Sequence, residues 1–322
     1  MSTATVSRTL SGRGPVSDAT RERVLRVAAA LDYLPSAAAR SLRTQRSLTI
    51  GVLVPDLANP VFVPFLRGVQ HVAQRHGYVV LVVDAQRSPA VERLALRRLR
   101  AQGVDALVLA GQVGERSLVE ELERGGIVVV DADLGAAARG SLIARLERPG
   151  TAAMCDALAA AGHRRVAYVT RGPARAASPE RRWQAMRGRW RGRGVSLERV
   201  VLAGRHAPDE VGALLGSVLA RPAPATALIC ATHTLAPIVL AGLRVGGFET
   251  PADCSFVTYG DSDWARAYRP ALSVVALDLY EAARVMTVQT IRRLAGEEGP
   301  WSDALPPPAR FVERESVGPP PR

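Results

Sequence analysis

Residues 47–84 read SLTIGVLVPDLANPVFVPFLRGVQHVAQRHGYVVLVVD, and the hydrophobic period changes twice within them. The opening run, SLTIGVLVP, is short, apolar and rich in β-branched residues, as a strand buried on both faces requires. Over 61–77 the period lengthens: Phe62, Phe65, Leu66, Val69 and Ala73 fall at the i, i+3, i+4, i+7, i+11 spacing of one helix face. A second apolar run, YVVLVVDA, follows. Strand, helix, strand in that order is one βαβ unit, two parallel strands joined by a right-handed crossover.

The alternation continues to the far end of the chain. DALVLAG at 105–111, IVVVDAD at 127–133, RVAYVTRG at 165–172, RVVLAG at 199–204, ALICAT at 227–232, SFVTYGD at 255–261 and LSVVALD at 272–278 each read as a buried parallel strand. With the first two runs they make nine strand candidates, four before about residue 148 and five after. The expectation is an α/β protein with two doubly wound parallel-sheet subdomains and a ligand cleft between them, near the carboxyl ends of the strands.

The first 47 residues differ. They contain no strand pattern and break at Pro15 and Pro35, which reads as a separate helical module. Ser17 is placed to cap a helix whose first turn carries Asp18 and Glu22 and whose apolar face is Val24, Val27, Ala28 and Leu31. Residues 2–10 suit a short helix that needs a packing partner, since so short a helix is marginal alone.

Composition bounds the function classes. Of 322 residues 48% are apolar and 22% charged, enough for real cores and against disorder. No apolar run reaches the length of a membrane helix and the N-terminus has no signal-peptide core, so a cytosolic protein without membrane contact is expected. Cys155, Cys230 and Cys254 have neither C-x-x-C spacing nor even number and read as buried thiols. All 42 basic residues are Arg, with no Lys and a single Asn, Asn59, a GC-rich codon signature that makes the formal charge of +12 weak evidence by itself. Its distribution is more telling. Residues 1–47 carry a net +5 and residues 163–199 a net +9, while the rest of the chain sums to −2. The second island, with its run RRWQAMRGRWRGRG, reads either as a nucleic-acid surface or as a solvated helix face.

The N-terminal stretch TVSRTLSGRGPVSDATRERVLRVAAALDYLPSAAARSLRTQRSLTIGVLVPDLANPVF resembles the lac repressor/galactose repressor family of bacterial transcription regulators. The likeness rests on Thr5-Val6-Ser7-Arg8, Val16-Ser17 with Thr20-Arg21, Asp32-Tyr33-Leu34-Pro35, Ala39-Arg40-Ser41-Leu42 and Asn59-Pro60. Farther on, AGHRRVAYVTRGP at 161–173, Pro270 to Val275 and the closing Arg310-Phe311-Val312-Glu313-Arg314-Glu315-Ser316 also fit. The resemblance implies a helix-turn-helix headpiece over 1–34, a hinge helix over 35–47, one effector-binding subdomain over 48–148 and 279–305, and a second over 149–278 and 306–322. The family's headpiece opens with a helix of the type T-x-x-D-V-A-x-x-A-G-V-S, and Met1 stands near its end. A start codon placed too late, Met1 standing where the family has Val, is one expectation; a truncated headpiece is the other.

The same resemblance assigns roles. Thr3, Ala4 and Arg8 take the base-reading positions of the recognition helix, Arg8 with the fork that suits guanine. Ser2, Thr5 and Ser7 are phosphate ligands, with helix capping as the alternative for each hydroxyl. In the hinge, Arg40 faces phosphate and Leu42 wedges into a central minor-groove step, one leucine from each subunit of a symmetric dimer on a palindrome. Asp56, Asn59, Phe62, Asp131, Arg182, Thr232, Asp261 and Trp264 are the effector candidates, for a small polar metabolite such as a sugar. Departures from the family pattern are His233 after Thr232, Gly260 before Asp261, and Glu147-Arg148-Pro149-Gly150 in place of D-x-x-G. His163 is expected to be structural, and His233 to sit in a loop.

Enzyme readings lack their signatures: there is no P-loop, no G-x-G-x-x-G after a strand, no G-x-S-x-G, and the five His lack metal-ligand spacing. The expected function is therefore a dimeric, ligand-responsive repressor of transcription, without cofactor or metal, binding operator DNA. The alternative is a small-molecule binding protein that has lost DNA binding.

Overall fold

Two short helices open the chain in a computed structural model that describes residues 2–11, 15–33, 41, 44, 46–110, 116–131, 142–172, 177–204, 206–297 and 305–321. Helices α1 (Thr3–Ser11) and α2 (Asp18–Ala30) pack on each other. Ser17 stands at the N-cap of α2, but its hydroxyl donates to Thr20 Oγ1 (2.9 Å) and makes no cap bond to the backbone. The expected apolar face is only half used. Val24 is buried and Ala28 half-buried, whereas Val27 and Leu31 are exposed, because α1 is too short to cover more than the middle of α2.

From Thr49 onward strands and helices alternate: β1 (Thr49–Val54), α3 (Phe62–Arg75), β2 (Val79–Asp84), α4 (Pro89–Ala101), β3 (Ala106–Leu109), α5 (Arg116–Arg124), β4 (Val128–Asp131), α6 (Leu142–Ala160), β5 (Arg165–Arg171), α7 (Ala177–Trp190), β6 (Ser196–Leu202), α8 (Pro208–Leu219), β7 (Ala227–Cys230), α9 (Ala236–Val245), β8 (Ser255–Tyr259), α10 (Asp263–Ala267), β9 (Ser273–Ala276), α11 (Leu279–Leu294) and β10 (Arg310–Val312). They build two sheets, of order β2-β1-β3-β4 and β10-β9-β8-β7-β5-β6. All nine runs read as strands in the sequence are strands. The tenth, β10, runs antiparallel to β9 with Phe311 opposite Val275. At three residues it is too short for its alternation to stand out in sequence, and it adds one antiparallel strand at the edge of the expected parallel sheet.

Each sheet is buried on both faces, which is why its central strands are continuous apolar runs. In the first, Ile50, Val52 and Val54 meet Phe65, Val69 and Ala73 of α3 and Ala283 and Met286 of α11, while Leu53 and Leu107 point the other way onto Leu96 and Leu99 of α4. In the second, Ala167 and Val169 face α8 and α9, and Val166 and Tyr168 face α6 and α7. Helix α6 joins the two bodies: Leu142 and Leu146 belong to the first core, Met154 and Leu158 to the second. Pro149 lies inside this helix at the crossing. There the returning segment docks, with Ala309 N donating to Leu146 O at 2.8 Å. Gly150 is required at this point, since a Cβ on it would stand 2.9 Å from the Ala309 carbonyl.

Candidate functional site

Both parallel sheets turn their carboxyl ends toward one cleft of about 1060 Å³. The loop after β1 brings Asn59 and Pro60 to one wall, and the loops after β7 and β8 bring Thr232, His233, Asp261 and Trp264 to the other. Arg182 and Glu147 form its floor. Of the eight effector candidates, Asn59, Arg182, Thr232, Asp261 and Trp264 therefore line one space.

The other three do not. Asp56 accepts from Ala58 N at 3.1 Å and sits 3.7 Å from Arg87, so its carboxylate is engaged within its own loop and with the loop after β2. Phe62 packs against the first core. Asp131 ends β4, buried, and is not among the residues that line the cleft.

The charges of the cleft are closely matched. Arg182 binds both carboxylate oxygens of Glu147, with Nε 3.1 Å from Oε2, donates to Ala231 O at 2.6 Å, and lies 4.1 Å from the centre of the Tyr259 ring. Burial works against its charge, but the Glu147 carboxylate outweighs that and raises its pKa. Glu147 takes the place of the family's Asp in the D-x-x-G register, so the signal for it was present in the sequence as a departure. Asp261 is held by Arg314 at 2.9 Å and Arg266 at 2.8 Å; burial pushes its pKa up, and these two arginines bring it below the usual carboxylate range. His233, expected in a loop, is buried against Arg182, and burial followed by that charge lowers its pKa. The walls are more apolar than the candidate residues suggested. Val61, Val63, Leu277, Leu279 and Pro308 line them, and residues in loops or in the first turn of a helix carry no periodic signal for that placement.

The headpiece candidates run along α1, from Ser2 just before it to Arg8 in its last turn. Ser2 caps the helix, its Oγ accepting from Thr5 N at 3.2 Å and lying 2.9 Å from Thr5 Oγ1. Thr3, Ala4 and Arg8 are exposed. The Arg8 Nε donates to Ala4 O at 3.3 Å. The side chain of Ser7, and Arg40 and Leu42, lie outside the described residues. Just before β1, Ser47 N and Leu48 N each donate to the Asp105 carboxylate at 2.9 Å, which ties the incoming chain to the amino ends of β1 and β3.

A family model described as a periplasmic binding protein-like domain matches residues 155–317, and one described as bacterial regulatory proteins, lacI family, matches residues 1–36. The chain belongs to the lacI family of bacterial regulatory proteins. It is 28% identical over 324 residues to the ribose operon repressor of Haemophilus influenzae, covering 98% of this chain and 95% of that one. It is 27% identical over 308 residues to the HTH-type transcriptional repressor CytR of Escherichia coli, covering 92% and 87%. Among solved structures, the Lac repressor bound to ONPG in the repressed state superposes with a TM-score of 0.82 at 23% identity, covering 98% of this chain and 96% of that one, a likeness of fold. Members of the lacI family are regulators of transcription and not enzymes. No described helix is long and apolar enough to cross a membrane.

Two further sequence readings find their place in this lacI-family fold. His163 is fully buried, its ring nitrogens 2.9 Å from Thr226 Oγ1 and from Gly318 O. It pins the C-terminal segment to the second sheet. The three cysteines are buried thiols whose pKa values burial pushes up to about 12.

Proposed function

We propose that this chain is a dimeric repressor that grips a palindromic operator through its headpiece and hinge and is modulated by a small polar metabolite of the sugar class in the interdomain cleft. The observation that carries the reading is the joining of two sites through one body. The cleft at the carboxyl ends of both sheets receives Asn59, Arg182, Thr232, Asp261 and Trp264, and the linker from the helix-turn-helix is clamped by Asp105 at the opposite end of the first sheet. A ligand that changes how the two bodies close alters what the clamp presents to DNA. The repressor names of the similar proteins, a ribose operon repressor among them, support both the DNA partner and the sugar class.

Dimerisation has its own support. Strand β2 is an edge strand, and Val79 (67%), Leu81 (37%) and Val82 (38%) are exposed on it. Proteins seldom leave such an edge bare, and a second copy is the cover that a two-fold operator calls for.

Arg8→Ala should cost about 1–3 kcal/mol of discrimination between the operator and a mutated site in competition gel shifts. Leu42→Ala should abolish specific binding while largely keeping the salt-sensitive, nonspecific kind. A panel of neutral sugars screened by thermal shift, with each hit then added to the gel shift, tests the effector. A hit that stabilises the protein and leaves the DNA complex untouched would favour the alternative, a binding protein without a DNA role.

A further inference from the structure

The basic island at 163–199 has no use in the function described above, and the fold sorts its arginines into two groups. Arg182 and Arg199 turn to Glu147 and Glu180, and Arg165 donates to Pro224 O at 2.7 Å; these brace the second body. Four more gather where α7 ends, in the sequence Arg187-Gly188-Arg189-Trp190-Arg191-Gly192-Arg193-Gly194, while Arg171 at the end of β5 and Arg181 early in α7 stand apart from them. Arg189 and Arg193 share one carboxylate, Asp156 of α6. Arg187 and Arg191, one helical turn apart, are exposed and make no ion pair among the described residues. Arg164 joins them from the adjoining turn, donating to Ala159 O at 2.7 Å and accepting Ser196 N on its carbonyl at 2.8 Å. Of these five arginines, Arg189 and Arg193 pair with Asp156, and Arg187 stands near enough to Glu180 to help lower the pKa of its carboxylate. Trp190 anchors the turn from inside, buried, with its indole N–H on Cys155 O at 3.1 Å. Gly192 and Gly194, at φ +73° and +69°, have nothing within 4 Å of where a Cβ would stand, so the turn projects into solvent.

Place and surroundings narrow the partner. The turn lies at the amino ends of β5 and β6, and the headpiece joins at the amino ends of β1 and β3. Since both sheets aim their carboxyl ends at the cleft, the two basic islands stand at opposite poles of the body. The arginine turn is out of reach of the DNA held by the headpiece. No large apolar side chain between Leu142 and Leu197 is exposed among the described residues, so the arginine turn itself offers a protein partner no apolar anchor. Phosphate needs none, and guanidinium forks fit it. We propose that the arginine turn is a second nucleic-acid site that binds the phosphate backbone of a duplex without reading its bases, so that the protein joins two separate DNA segments.

The test titrates the full chain, and Arg187→Gln/Arg191→Gln, into a labelled random-sequence duplex at rising salt. The double variant should bind roughly tenfold more weakly at low salt, with a log–log salt slope reduced by about 2. Unchanged affinity and slope would overturn the proposal, and so would equal competition by polyglutamate at matched charge, which would mark the surface as one for acidic protein. On the wild-type chain, bound duplex should protect Arg187 and Arg191 from phenylglyoxal modification, read by peptide mass. Equal modification with and without duplex overturns the proposal independently of how the variant folds, and it is read apart from any contact at Arg8.

Discussion

At the scale of single residues, buried polar groups set both the acid response and the shape of the cleft. Burial lowers the pKa of His163 and of His233 below the ordinary 6.5. The unfolded chain therefore binds protons that the folded chain refuses, so the stability these residues lend is complete above the unfolded value and declines as the pH falls through it. The melting temperature should hold steady around neutrality and drop toward about pH 5, with a shallower slope in His163→Gln, although that variant starts lower. Glu147 offers a second prediction. Its side chain and that of Arg182 are only 11% and 12% exposed, so Glu147→Gln leaves a guanidinium buried beside Tyr259 with no counter-charge. Leaving one charge of a buried pair alone costs about 3 kcal/mol, or roughly 5–10 °C in the melting temperature by calorimetry. The residue scale is also where sequence reading was weakest. Arg182 and Asp261 were found through local motifs, but their partners Glu147 and Arg314 come from distant segments that no periodicity relates. Asp56 and Phe62 sit near the cleft in sequence and turn elsewhere in space, one to Ala58 N and Arg87 and the other to the first core.

Packing between elements is specified by backbone approach as much as by apolar pattern. Helices α3 and α11 cross at Gly68, where a Cβ would lie 2.4 Å from Tyr280 O and 2.9 Å from Ala283 Cβ. A carbonyl oxygen in a helix cannot move aside cheaply, so Gly68→Ala should destabilise by about 1–3 kcal/mol in urea unfolding. The contrasting site is Gly188 in α7, with nothing within 4 Å of its Cβ position. There the same change should be neutral or stabilise by up to about 1 kcal/mol. At the edge of the first sheet, Val79→Lys with Leu81→Lys places charge on one face of β2 and should convert dimers to monomers in sedimentation. The elements themselves were legible because a strand buried on both faces is a continuous apolar run and a covering helix repeats every 3.6 residues. That is why Phe65, Val69 and Ala73 are buried as their spacing predicts. β10 escaped because its three residues hold too little of any period, and the face of α2 was overestimated because amphipathic spacing does not say how long the partner helix is.

For the whole molecule, the net charge of +12 says little until it is located. One basic island falls on the segment proposed to read and grip DNA, and the other is partly consumed in ion pairs with Glu147, Asp156 and Glu180, leaving the arginine turn exposed at the far pole. Alternating strands and helices made the two-bodied architecture readable, since each parallel strand needs a crossover and each crossover covers a face. Apolar cleft walls, by contrast, arise only when loops and helix starts from distant segments meet, so the sequence overstated the polar side of the site. The central claim is that the chain regulates transcription by holding DNA and releasing or tightening it with a cleft ligand. Its most direct measurement is a gel shift of the full chain on the DNA upstream of its own gene, repeated at increasing salt and with Arg8→Ala. A repressor of this kind gives a discrete retarded complex that weakens steeply with salt and loses its preference for that DNA in Arg8→Ala. No retardation at low salt, or a complex indifferent to salt and to Arg8, would contradict it.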